Sequence, residues 1–399
     1  MLITAIVFLL ILSILVLIHE AGHFFVAKRL GIKVEEFGFG LPLLPAIFSF
    51  RRGETVYSIY PALIGGFVKL FGEDEAGAGR VQLKVQSEKL KVGDEGRAFY
   101  RRPVGQRAAV VFAGVVMNAV LAVVIYYGFM FITNFKTELP VYPPGLSVPK
   151  FLMVEQEIKT QIIIGDVAKN SPAELAGIKP PSQIISVNGK PIENNDSFLK
   201  IIAANKGKQI LLEWLDLRIN KKSTALVMPR VNPPKNQGAL GVSFFPSETV
   251  HLNYNTAGER VLSGFTHPIN LMTYNFAALK NLIDASIKKR NVEMLSQSVS
   301  GPVGIYNVVG AVVSIPNLRE RVIQLLNLAG ILSISLAVFN VLPIPGLDGG
   351  RLFFILVEGV FGVKLNRKIE GYVNAIGMAF LIGLILLVTY KDVAQLFMK

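Results

Sequence analysis

From Leu2 to Ile18 the chain offers only Thr4 and Ser13 as polar interruptions, and it then runs without a break into His19-Glu20-Ala21-Gly22-His23. A run of roughly 20 mostly apolar residues is the length that spans a bilayer as a helix. Such a run leaves few other folds open, because in lipid every backbone polar group must be bonded internally. The pentapeptide adds chemistry to this constraint. Residues four apart share one helical face, so the imidazoles of His19 and His23 can reach one metal ion. Glu20 can then act as general base on a water bound to that metal. Zinc that catalyses rather than braces needs a third protein ligand and one open position. The alternative is a pair of helix histidines satisfied by their neighbours. The setting weakens it: two of only four His in the chain form this motif, and ionisable groups at membrane depth are costly and usually functional.

Composition agrees with the opening run. Apolar residues make up 51% and charged residues 17% of the chain, and mean hydropathy is +0.48. These values imply an integral membrane protein with a polar insert. The net charge of +13 fits juxtamembrane Lys and Arg that set topology and meet anionic lipid. No nucleic-acid module is recognisable, so the expected partner surface is the lipid bilayer. The chain has no Cys, which excludes disulfides, thiolate metal sites and a Cys nucleophile. The first run lacks a positive n-region and carries the metal motif, so it is expected to stay in the mature protein.

Further spans are expected along the chain. The first covers residues 1–30 and ends at Lys28-Arg29 and Gly31. Residues 31–103 form a polar loop in which Glu54–Phe71 suggests a β-hairpin that turns at Gly65-Gly66. A second span at 104–133 contains Gly114-Val-Val-Met-Asn118. A long polar insert follows to about 320, with short β-like runs and turn signals over 153–231 and an amphipathic stretch at 257–292 that reads as lying on the membrane surface. A third apolar segment, 322–360, is broken between Asn340 and Gly350 by Pro343, Pro345 and three glycines. A fourth span covers 372–391. The loop between Lys28 and Arg107 is rich in Lys and Arg, and the 361–371 connection adds Lys364, Arg367 and Lys368. By the positive-inside rule both are cytoplasmic, which puts both termini and the insert outside.

Asp348 is the natural third ligand, since zinc takes Asp oxygen readily. It lies at membrane depth in broken backbone, which is tolerated only when buried in protein or lining a wet cavity. It could instead cap the half-helix that restarts at Gly349-Gly350. The kink is expected to carry Asp348 to the first span, with Gly22 offering a smooth face there. Asn340 and Asn118 are candidates to hold substrate backbone or an oxyanion, against the alternative of interhelical hydrogen bonds. His251 and His267 have no partner motif and take no role.

In order and membrane placement, His19-Glu20-Ala21-Gly22-His23, Gly114…Asn118 and Asn340…Pro343…Pro345…Leu347-Asp348-Gly349-Gly350 resemble the motifs of the site-2 protease family of intramembrane zinc metalloproteases. The likeness is closest to the bacterial branch that includes the regulator of sigma-E protease. It implies that His19, His23 and Asp348 bind Zn2+, that Glu20 is the base, and that Asn340 helps hold substrate or transition state. The stretch from Ile164 to Ile192 resembles a bacterial PDZ domain, present once rather than in tandem, with a peptide groove between Gln161–Ile164 and Ser197–Ala203. The 54–71 hairpin resembles the membrane-associated β-region that such proteases set beside the active site. The fold class so implied is a polytopic α-helical membrane protein of about four transmembrane helices, with a cytoplasm-side membrane-associated β-hairpin and one extracytoplasmic PDZ-like α+β domain. The function implied is cleavage of single-span membrane proteins, such as anti-sigma factors or remnant signal peptides, in a bacterial inner membrane. Two rivals come from other classes, a catalytically silent membrane-tethered PDZ scaffold and a metal transporter. The intact Glu20 and ligand set speak against the first, and the PDZ-like insert against the second.

Overall fold

Four helices among the described residues are long and apolar enough to cross a membrane: Leu2–Arg29, Val104–Ile132, Leu318–Val341 and Ile369–Gln395. The computed structural model describes residues 1–73, 95–141, 148–192, 194–219, 221–289, 299–362 and 367–397. They divide into two units. One comprises Met1–Thr133, Val261–Met272 and Ser286–Lys399, the other Asn134–Arg260 and Thr273–Ala285.

In the first unit α1 (Leu2–Arg29) is about 42 Å long at 1.5 Å per residue. It stops at Gly31, whose φ of +71° suits the left-handed position after a helix end. Only 6% of its most apolar stretch is buried in protein, against 39% for α2 (Val104–Ile132). The first value marks a helix whose side chains meet lipid, and the second marks the centre of the bundle. Pro103 caps α2, where its missing N–H costs nothing. Against α2 pack α1, α7 (Leu318–Val341) and α8 (Asp348–Phe361).

The break between α7 and α8 depends on bare glycine. A Cβ on Gly349 would meet the Leu342 carbonyl oxygen at 2.1 Å, and one on Gly350 the Ile344 oxygen at 2.5 Å. Gly377 of α9 (Arg367–Phe397) lets that helix approach Pro345 equally closely. A short helix, α6 (Pro302–Val313), was not anticipated from the sequence. Its start is signalled by Pro302 at the first helical position, and the Asp392 carboxylate accepts from the Gly301 and Gly304 N–H groups.

The loop after α1 carries a four-stranded sheet in the order β2-β3-β1-β4, with β1 Val34–Leu41, β2 Phe48–Arg52, β3 Thr55–Ile59 and β4 Ala62–Leu70. This corrects the expected hairpin. β1 lies between β3 and β4, parallel to the first and antiparallel to the second. Gly65 and Gly66 are inside β4, not at a turn, and Gly66 pairs with Phe39. A Cβ on Gly66 would meet the Gly38 oxygen at 3.2 Å and the Glu20 Cγ at 3.4 Å, so glycine here serves close approach to α1. The hairpin that does form joins β2 to β3 around Gly53. Ile32, Val34, Leu70, Phe99, Val110 and Ile355 are buried together and pin the sheet to the helices. The charged stretch from Arg80 to residue 94 and Lys364, both used for topology, lie outside the described residues.

The second unit is built on a seven-stranded sheet, β10-β9-β7-β6-β11-β5 with β8 on β7. Its strands are β5 Lys136–Val141, β6 Glu155–Val167, β7 Ser182–Val187, β8 Lys190–Pro191, β9 Ile210–Asp216, β10 Lys221–Val227 and β11 Val242–Asn253. Two short helices accompany it, α3 (Pro172–Leu175), capped by Ser171, and α4 (Asn195–Ala204), closed by an Asn194–Ser197 capping box. Ile162, Ile184, Phe198, Leu212 and Trp214 lie in one buried core. The expected groove strand, Gln161–Ile164, is paired with β11 on one side, and its residues 162–164 with β7 on the other, which leaves those residues no edge for a peptide. The outer strands β10 and β5 each have a free edge, and among the described residues β11 over Val242–Ser247 also lacks a partner on its second side, since β5 pairs only from Glu248 onward.

The amphipathic stretch is one helix, α5 (Ala257–Lys289), with Pro268 inside it. Its residues Ser263, Thr266, His267 and Asn270 are buried. The His267 ring packs on Tyr126 and Phe129 of α2, and burial pushes its imidazole down to about 3, so it is neutral. This part of α5 is therefore fixed to α2 and does not simply lie on a membrane surface.

Candidate metal centre

Helical spacing sets His19 and His23 on one face of α1 with Nε2 atoms 3.2 Å apart. Asp348 is the first residue of α8, and Leu347, not Asp348, occupies the cap position. No side-chain cap bond forms there, so the carboxylate is not spent on the helix end. Asp348 Oδ2 lies 2.9 Å from His19 Nε2 and 3.2 Å from His23 Nε2. Two imidazole nitrogens and one carboxylate oxygen thus fall within 4.8 Å of one another, and this is the one such group among the described residues. Donors on tetrahedral zinc, with bonds near 2.0 Å, lie about 3.3 Å apart. The donor set and its spacing therefore fit three corners of a zinc site.

Helix α2 shapes this cluster from behind. The Val110 carbonyl accepts from His23 Nδ1 at 2.8 Å, which leaves Nε2 free for a metal. The Asn118 amide lies 3.3 Å from His19 Nδ1 and is 1% exposed. Its Oδ1 is buried without another partner among the described residues. Turning that oxygen onto Nδ1–H satisfies both groups, since amide orientation follows the hydrogen-bond network. Gly114, one helical turn before Asn118, makes room for the imidazoles: a Cβ there would meet His23 Nε2 at 2.5 Å and His19 Cε1 at 2.7 Å. Gly22 packs on α2, where a Cβ would strike the Ala113 oxygen at 2.5 Å. The expectation that it smooths the face toward the third segment is corrected accordingly.

Glu20 lines a small cavity of about 50 Å³ together with His23 and Asp348. Asn340 sits in the last turn of α7, half-buried and outside that cavity's lining. Sequence reasoning brought His19, Glu20, His23 and Asp348 to one place. It did not find the Val110 carbonyl, which no residue type signals. It also passed over Glu73 and Arg351, which line the same cavity.

A model of peptidase family M50 matches residues 7–384 of the chain. The chain belongs to peptidase family M50. A protein of Clostridium perfringens that carries a zinc-metalloprotease name is 30% identical over 388 residues, covering 96% of this chain and 97% of the relative. The regulator of sigma-W protease RasP of Bacillus subtilis is 28% identical, with 99% of each chain covered. The zinc metalloprotease RasP of Bacillus licheniformis is also 28% identical, over 99% of this chain and all of the relative. This M50 peptidase is a polytopic bacterial membrane protein and a zinc-dependent intramembrane endopeptidase.

Proposed function

We propose that His19 Nε2, His23 Nε2 and Asp348 hold the zinc ion and that Glu20 is the general base for cleavage of single-span membrane proteins. The observation that carries this reading is the convergence of three donor atoms from α1 and α8 beside Glu20. When bound, zinc supplies Lewis acidity to a water and to the scissile carbonyl. Glu20 takes the proton of the attacking water and hands it to the departing amide nitrogen. Val110 and Asn118 fix the tautomers of His23 and His19, so Asn118 is a positioning residue, not a substrate ligand. The Asn340 side chain, which makes no hydrogen bond to the described residues, remains available to hold substrate or transition state.

A substrate helix hides its peptide bonds in intrahelical hydrogen bonds and must be drawn out before hydrolysis. β4 is an end strand of its sheet, and its Gly66 runs beside Glu20. An extended substrate segment added to β4 would exchange its lost bonds for sheet bonds next to the base. The name of the Bacillus subtilis relative supports a membrane-bound anti-sigma factor as the substrate type, with remnant signal peptides as a second.

The β-sheet and the two capped helices of the second unit support the PDZ-like reading of residues 153–231. The groove is reassigned to β11 over Val242–Ser247 beside α4, where Phe244 meets Phe198 edge to face. Loop charge supports an orientation with the four-stranded sheet in the cytoplasm and both termini outside, in a bacterial inner membrane. The decisive test is Glu20→Gln in purified protein: zinc stays bound while cleavage of a model single-span substrate falls to background. Cleavage near the wild-type rate would remove Glu20 from the mechanism.

A further inference from the structure

The cavity beside the metal centre contains a second pair of charges. Arg351 lies three residues after Asp348, on the same face of α8. Its guanidinium donates to Glu73 Oε1 at 2.7 Å. The other oxygen of Glu73 accepts from the Leu70 N–H at 3.2 Å, which anchors it to the end of β4. Glu73 is 5% exposed. The flat face of Phe99 lies 5.9 Å from the guanidinium carbon. Glu73 and Arg351 line one cavity with Glu20, His23 and Asp348.

A buried guanidinium needs a carboxylate, and its fork fits one with two parallel hydrogen bonds. The carboxylates that bear on the charge of Arg351 are Glu73 first, then Asp348 and Glu370. Of the last two, only Asp348 shares the cavity with Arg351. Were Arg351 to turn to Asp348, it would take the lone pairs and the charge that a metal ion needs from that oxygen. We propose that Glu73 is a sequestering counter-ion that holds Arg351 away from Asp348 and so keeps the Asp348 carboxylate free for zinc. This rests on the reading of Asp348 as a ligand. It also makes the two partners unequal: Glu73 protects the site, whereas Arg351 is what the site must be protected from. A mere tether between β4 and α8 would make them equal.

The test uses full-length protein in detergent, with zinc affinity measured by competition with a chelator and kcat and KM measured on a single-span substrate. Glu73→Gln is expected to lose roughly 10–100-fold in zinc affinity, with kcat falling at subsaturating zinc and KM for the substrate unchanged. Arg351→Gln keeps zinc affinity near wild type, and adding Arg351→Gln to Glu73→Gln restores it. If Glu73→Gln does not accumulate in the membrane, Glu73→Asp serves the same comparison, with a smaller loss that Arg351→Gln again recovers. Wild-type zinc affinity in Glu73→Gln overturns the proposal. So does a loss in Arg351→Gln as large as in Glu73→Gln without recovery in the double variant, which is the tether result. Asp348→Asn measured in parallel separates the two levels. If it retains zinc, the site reading fails. If it loses zinc while Glu73→Gln does not, only the sequestering role fails.

Discussion

Gly114→Ala is a change of one methyl group aimed at the metal centre alone. The added Cβ would sit 2.5 Å from His23 Nε2 and 2.7 Å from His19 Cε1. Ordinary contact begins near 3.4 Å, so the rings must retreat by about 0.9 Å. Metal–ligand distances tolerate only about 0.2 Å, and His23 is held on its other side by the Val110 carbonyl. Zinc affinity should fall by at least roughly tenfold, in the range seen when the supports of metal-binding histidines are removed. The helix itself should not suffer, because Ala is favoured over Gly in a helix interior by about 1 kcal/mol. Gly128→Ala is the control, since a Cβ there meets nothing within 4 Å on the same helix. Chelator competition and substrate cleavage are read together with thermal unfolding. Gly114→Ala with wild-type zinc affinity and wild-type cleavage would refute the packing argument. So would a loss of unfolding temperature shared equally with Gly128→Ala.

Asn118→Leu should weaken zinc and lower kcat without raising KM, whereas Asn118→Asp, which still offers an acceptor to His19 Nδ1–H, should recover much of the loss; a rise in KM alone would return Asn118 to substrate binding. Arg97 and Lys28 hold the Glu54 carboxyl down to about 2 from an ordinary 4.5. Because its folded-state pKa is depressed, the Glu54 contribution is complete above about 4.5 and is lost as pH falls toward 2. Glu54→Gln should therefore lower the unfolding temperature at pH 7 and do so less at pH 3, and an equal effect at both would contradict the ion-pair account. Reporter fusions after Gly79 should read cytoplasmic and those after Asn220 extracytoplasmic, and the reverse pattern would overturn the orientation drawn from loop charge.

Much of the centre was legible because its information is local or periodic. The His19–His23 spacing fixes a shared helical face, and each of the four apolar runs holds one of the four helices long and apolar enough to cross a membrane. The prolines and glycines between Asn340 and Gly350 announce broken backbone where α7 gives way to α8. What stayed hidden depends on pairing between distant segments. Alternation marks Thr55–Ile59 and Ala62–Leu70 as strands but does not say that β1 passes between them, so Gly65-Gly66 read as a turn. Asn118 is visible as a polar residue within a span, yet its partner, His19, lies 99 residues away. Glu73 sits beside a charged stretch and looks like part of it, and only the fold brings it to Arg351. The same limit applies to the strand expected to border a groove, whose neighbours on both sides are themselves strands. A strand's own sequence does not reveal that Ile162–Ile164 is flanked on both sides while Val242–Ser247 keeps an edge.

The most direct measurement of the central claim is zinc per chain in purified Asp348→Asn beside wild type. This substitution keeps the shape of the side chain and removes its charge. Asp348 stands 2.9 Å and 3.2 Å from the two histidine nitrogens, and without it the ion would keep two neutral imidazoles and lose its one charged ligand. The account predicts zinc close to stoichiometric in wild type and largely lost in Asp348→Asn, with proteolysis lost in step. Full zinc and full cleavage in Asp348→Asn would contradict it and send the search for the third ligand elsewhere in the chain.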